Sequence, residues 1–145
     1  SCGHHSIAVV CGLSLQEVRR ALPRENGWMN PTDVQKTLDA IKVRYRYYPY
    51  VSRQTKRKEL KHGVNRIQFE GSWLNPGIHP AASYAHTHYV ALHGPSDHVF
   101  DTALADPHVW IPFDEWLPQI EAYALWHRHK TTGWHVTHWF ELLSR

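Results

Sequence analysis

The spacing of apolar residues changes at Ile41, and that change constrains the fold more than any single motif. Before it, apolar side chains recur at helical intervals; after it they alternate in short aromatic runs. Over residues 3–12, Ile7, Val10 and Cys11 share a face, and Gly12 supplies a C-terminal stop. In "SLQEVRRALP", Ser14 and Glu17 stand at capping-box spacing, Leu15, Val18 and Leu22 line one side, and Pro23 ends the segment. In "NPTDVQKTLDAI", Asn30 caps, Pro31 suits the first helical position, Asp33 complements the dipole, and Val34, Leu38 and Ile41 form the stripe. Three helices are expected first.

Beyond Ile41, "VRYRYYPY" reads as a strand interrupted by Pro49, and "SRQTKRKELKHG" as a basic surface helix or loop closed by Gly63. "VNRIQFEG" is a second strand. After a loop rich in proline and glycine, "HTHYVALHG" and "HVFDTAL" form an antiparallel hairpin through "GPSD". "PFDEWLPQIEAYALW" is helical, with Trp116, Ile120 and Ala124 in register, and "GWHVTHWFELL" is a last strand or strand-helix element. Helices followed by strands predict an α+β fold, its helical part packed on an antiparallel sheet. At 145 residues, 42% of them hydrophobic, the chain is expected to form one domain, residues 1–145.

Neither a membrane span nor a signal-peptide core is visible, since apolar runs such as "IAVV" are far too short. A chain opening on Ser1 rather than Met is expected to be processed or trimmed, and a cytoplasmic location is the default. On one helix, Cys2 and Cys11 would lie about 13 Å apart at about 1.5 Å per residue. A disulfide needs roughly 7 Å or less, so both read as free thiols in a reducing compartment. Cys11 belongs to the core face. Cys2 precedes it.

A cysteine nucleophile works as its thiolate, which the positive end of a helix stabilises, and Cys2 sits where that effect is largest. It needs a base. If the "GPSD" turn is symmetric, His93 pairs with His98 and Val90 with Asp101, which sets His88 and Asp101 diagonally on one face at roughly 7–8 Å. A slip of one residue would separate them. Asp106 would fall on the opposite face if the strand continued. An imidazole held by a carboxylate on one side and facing a thiol on the other is the arrangement of Cys-His-Asp catalysis.

The segments "SCGHHSIAVVCGLSLQEVRRAL", "GWMNPTDVQKTLDAI" and "THYVALHGPSDHVFDTAL", in this order, resemble the papain-like peptidases related to the double-glycine leader peptidases of bacteriocin exporters. In that family a Cys-Gly opens the first helix, and a strand beginning His-aromatic-Val supplies the base. The resemblance spans roughly residues 1–105. It implies a papain-like fold, with Cys2 as nucleophile, His88 as general base and acid, and Asp101 as the group orienting His88. It also implies a peptide or protein substrate and no cofactor. The family places an oxyanion-hole glutamine several residues before the cysteine, where only Ser1 stands here. If upstream residues were trimmed away, the glutamine is expected among them. If the mature chain begins at Ser1, loss of such a donor costs about two to three orders of magnitude in rate and points to an inactive or structural relative, with the Cys2 N–H left as one donor.

Other readings compete. One is a non-catalytic papain-like module serving as a structural or binding component of a larger assembly. Another is a nucleic-acid-binding domain, since residues 42–61 carry eight of the sixteen Lys and Arg, interleaved with tyrosines, against the single acid Glu59. The blander account, a solvated basic segment beside an edge strand, is preferred. Thirteen histidines, among them His86 with His88, His127 with His129 and His135 with His138, raise a metal site. No Cys-x-x-Cys or His-Glu-x-x-His accompanies them, and no metal is expected. Trp73 is a candidate wall of a substrate cleft; the other tryptophans read as packing.

Overall fold

The computed structural model describes residues 2–22, 29–51, 55–104, 109–126 and 131–143. Its helices are α1 (Cys2–Cys11), α2 (Leu15–Ala21), α3 (Pro31–Ala40) and α4 (Phe113–Trp126). The strands are β1 (Tyr45–Tyr48), β2 (Gly63–Glu70), β3 (Thr87–His93), β4 (His98–Phe100), β5 (Trp110–Pro112) and β6 (Gly133–Leu142). They form one antiparallel six-stranded sheet in the order β1-β6-β2-β3-β4-β5. The fold is α+β.

Local chemistry starts the helices where it should. Ser14 accepts the Glu17 N–H at 3.1 Å while Glu17 accepts the Ser14 N–H, and Asn30 and Asp33 exchange the same two bonds at the head of α3. Asp33 thus completes a capping box as well as meeting the dipole. The three N-terminal helices cover one sheet face, where Ile7, Val18, Val34 and Leu38 pack on Val64, Tyr89 and Phe140. On the other face, α4 lays Trp116, Ile120 and Ala124 over Ile67, Val90, Val99 and Trp134. With both faces covered, β2 is buried at almost every position. Each fully buried aliphatic side chain contributes about 1.5–3 kcal/mol to this arrangement.

Several sequence expectations shift. The buried face of α1 is Gly3, His4, Ser6, Ile7 and Ala8, whereas Val10 and Cys11 are only half-buried, because the N-terminal half of the helix is the part pressed on the sheet. The strand expected over residues 98–104 ends at Phe100, where Asp101 turns the chain by accepting the Ala103 and Leu104 N–H groups. Residues 55–62 form an irregular segment tied to β6 through the carbonyls of Arg57, Glu59 and His62, so the loop alternative holds there. Residues 127–130 and 105–108, which include His127, His129 and Asp106, lie outside the described residues. Among the described residues no helix is long and apolar enough to cross a membrane.

Candidate active site

Cys2 is the first helical residue of α1, so its N–H is one of the donors a helix leaves unpaired. The β4 strand stops opposite Ala91, and among the described residues no strand lies beside the edge of β3 before that point. There the Tyr89 N–H donates to Cys2 Sγ at 3.4 Å. His88, the residue before Tyr89, brings its ring close enough to the same thiol to interact with it electrostatically. Helix end and strand edge thus meet at one sulfur.

The other side of the imidazole is held as firmly. His93 pairs with His98, as the symmetric turn requires, and this register brings Asp101 diagonally across from His88. His88 Nε2–H donates to Asp101 Oδ1 at 2.5 Å, an assignment that follows because an ionised carboxylate only accepts. That leaves Nδ1 as the ring nitrogen facing the thiol. Asp101 is 1% exposed, and it also accepts the Ala103 N–H at Oδ1 and the Trp116 Nε1–H at Oδ2, both at 2.8 Å. Three donors fix the carboxylate, and the carboxylate fixes the ring.

Electrostatics act in one direction. Burial alone would push the Cys2 thiol up, but the hydrogen bond and charge of His88, with the Tyr89 N–H, hold it below its ordinary value. Burial would likewise push His88 down, yet Asp101 and then the Cys2 sulfur raise it well above the usual histidine range. Asp101, despite burial, is kept low by His88, Trp116 and Ala103. Both shifts favour a thiolate beside an imidazolium over the neutral pair. By contrast, burial without a cationic neighbour pushes Cys11 up to about 11.

No protein-family model matches this chain, and no curated protein matches it either. The site therefore rests on its own geometry.

That geometry joins Cys2, His88 and Asp101, the three residues expected from the sequence, and adds Trp116, which the sequence reading placed only in the core stripe. A buried indole N–H needs an acceptor, and that requirement was the available clue. Trp73, a candidate cleft wall, stacks on His86 at 3.6 Å and donates to the Phe69 carbonyl, packed against the α4-side core in keeping with the packing reading of the tryptophans. Gln68 is tied to the carbonyls of Phe69, Ser83 and His86, which anchors the segment entering β3.

The competing features are accounted for locally. His135 bonds Glu70 at 2.5 Å and His138 bonds Thr137 at 2.8 Å. Among the described residues no group of three or more His, Cys, Asp or Glu is placed to hold a metal ion. In the basic stretch, Lys56 meets Glu70, Arg57 meets Glu59, Lys58 meets Glu121 and Lys61 meets Glu141. Arg57, Lys58 and Lys61 also lie over the rings of Trp139, Trp134 and Tyr48.

Proposed function

We propose that this chain is a papain-like cysteine peptidase that hydrolyses peptide bonds through Cys2, His88 and Asp101. One observation carries the reading: a single imidazole is hydrogen-bonded to a buried carboxylate and interacts electrostatically with a thiol on a helix N-terminus. The helix-then-sheet order, with the cysteine opening α1 and the histidine near the start of β3, supports the papain-like assignment. Two free thiols fit a reducing compartment, and the cytoplasm is the proposed setting.

In the reaction the Cys2 thiolate adds to the scissile carbonyl carbon. The oxyanion that forms lies against the unpaired Cys2 N–H at the positive end of α1. His88 gives its proton to the departing amine, leaving a thioester on Cys2. It then takes a proton from water, whose hydroxide displaces the thiolate and releases the acid. Asp101 stays ionised throughout and keeps the ring oriented.

Iodoacetamide at pH 6 tests the proposal. Cys2 is expected to alkylate at least about a hundredfold faster than Cys11, since thiolate fraction sets the rate. His88→Ala is expected to remove that advantage, together with hydrolysis of a denatured protein substrate. Slow and equal labelling of both thiols would instead favour the non-catalytic module.

A further inference from the structure

On the helix-covered face of the sheet, next to Tyr89, an open cavity of about 550 Å³ is lined by Asn30, Tyr47, Tyr50, Arg66, Tyr84 and His138, among others. Arg66 is the anomaly in it. It stands in the middle of β2, paired across the sheet with Tyr89, and is 7% exposed. Its Nη1 donates to Thr137 Oγ1 at 2.9 Å. Yet among the described residues no carboxylate forms an ion pair with it. Glu70 on the same strand is engaged by His135 and Lys56, and Asp33 by its own helix cap. A buried guanidinium without a counter-charge is costly unless something supplies one.

Two further features converge on the same place. The β2–β6 ladder shifts register between Arg66 and Ile67, so that Thr137 is the extra residue of a bulge whose hydroxyl takes the arginine. At the rim, Tyr50 is 60% exposed and holds a left-handed φ of 55°, an unfavourable conformation for an aromatic residue. The Tyr89 hydroxyl, close enough to the guanidinium to interact electrostatically, is buried without a well-aligned hydrogen bond of its own. Strain, a bulge and a buried charge that no described carboxylate pairs with, all in one cavity, mark a site that binding would complete.

We propose that this cavity binds a carboxylate of a peptide, held in the fork of Arg66 and flanked by Tyr47, Tyr50 and His138. A single guanidinium matches the planar, singly charged carboxylate through two parallel N–H···O bonds, whereas a phosphate would call for more charge than one arginine brings. The Tyr89 backbone links the cavity to Cys2, because the residue facing Arg66 across the ladder is the one that donates to Sγ. On the peptidase reading, to which this part is tied, the carboxylate belongs to the substrate and selects for an acidic side chain or a free C-terminus near the scissile bond.

The test uses the full chain carrying Cys2→Ser, so that binding is read without turnover. Calorimetry compares acetyl-tetra-alanine as the free acid, the same peptide as its C-terminal amide, and amidated acetyl-Ala-Glu-Ala. At least one acid is expected to bind about tenfold or more tightly than the neutral peptide, a margin typical of a bidentate charge pair. The acid preferred identifies terminus or side chain. Arg66→Met is expected to erase the preference without lowering Tm, since replacing a buried charge that no described carboxylate pairs with by an apolar group of similar volume leaves stability unchanged or raised. Arg66→Lys, which keeps the charge and loses the fork, should retain only part of it. Equal affinity for all three peptides, or a preference that survives Arg66→Met, overturns the site. If Arg66→Met does not fold, undiminished preference in Arg66→Lys does the same. Carboxylate binding without any Cys2 reactivity would overturn the peptidase and leave the cavity standing.

Discussion

Asp101 receives three donors at once, and that crowding makes its identity testable atom by atom. In Asp101→Asn the new carbonyl oxygen can still accept from His88 and Ala103, but its amide then faces the Trp116 N–H, donor against donor. An orphaned buried donor costs about 1–3 kcal/mol, so Asp101→Asn is expected to lose that much in urea denaturation. Trp116→Phe removes the conflicting N–H. The double variant should therefore be more stable than the two single losses predict, by about 1 kcal/mol. Additive losses would mean that the Trp116 contact carries no weight. The lost charge should also slow Cys2 alkylation at pH 6 by about tenfold or more, because His88 falls back toward its ordinary range. His88 and Asp101 could be matched from sequence because a hairpin's register follows from its turn. Trp116 and Arg66 could not, since their neighbours come from other layers of the fold.

At the scale of elements, Gly63 shows where the sheet tolerates no side chain. It opens β2 at φ +129°, and a Cβ there would lie 2.2 Å from the Phe140 carbonyl oxygen and 3.0 Å from the Leu142 nitrogen. Both are backbone atoms of β6, so no rotamer change can relieve the clash. Gly63→Ala is expected to cost about 2–4 kcal/mol in chemical denaturation. Gly12, at φ +68° with nothing within 4 Å, serves as the control, because Ala there meets only the left-handed backbone penalty of about 1 kcal/mol. Equal losses at the two positions would refute the clash. Elements with their own local signals, such as the capped α2 and α3, were readable in advance. The three-residue β5 was not, because it exists only as a partner for β4 and carries no alternation of its own. Nor did the sequence of β2 reveal a central strand: an arginine inside it becomes conspicuous only once both faces are known to be covered.

Across the whole molecule, the histidines make acid stability a property of the fold. Burial holds His4, His62, His135 and His138 below the ordinary 6.5, and for His138, with the charge of Arg66 added, down to about 4. Each is neutral when folded but takes a proton below pH 6.5 when unfolded, so the unfolded chain binds more protons and stability falls as pH drops from 6.5 through each folded value. His88 is shifted the other way: its contribution is complete below 6.5 and disappears only as pH rises through its raised value. The Asp101 contribution, present above 3.8, is lost only at still lower pH, as its depressed folded value is passed. Neither offsets the decline between 6.5 and 4. His138 alone accounts for about 2–3 kcal/mol of it. Urea denaturation at pH 7, 5.5 and 4.5 should show a steady loss of stability. His138→Phe, whose ring can stack between Tyr47 and Phe140 as the imidazole does, should flatten that slope. Arg66→Met should flatten it less, because it removes the charge and leaves the burial. If stability does not change from pH 7 to 4.5, or if His138→Phe follows the parent's slope, the buried neutral histidines do not control the acid limb.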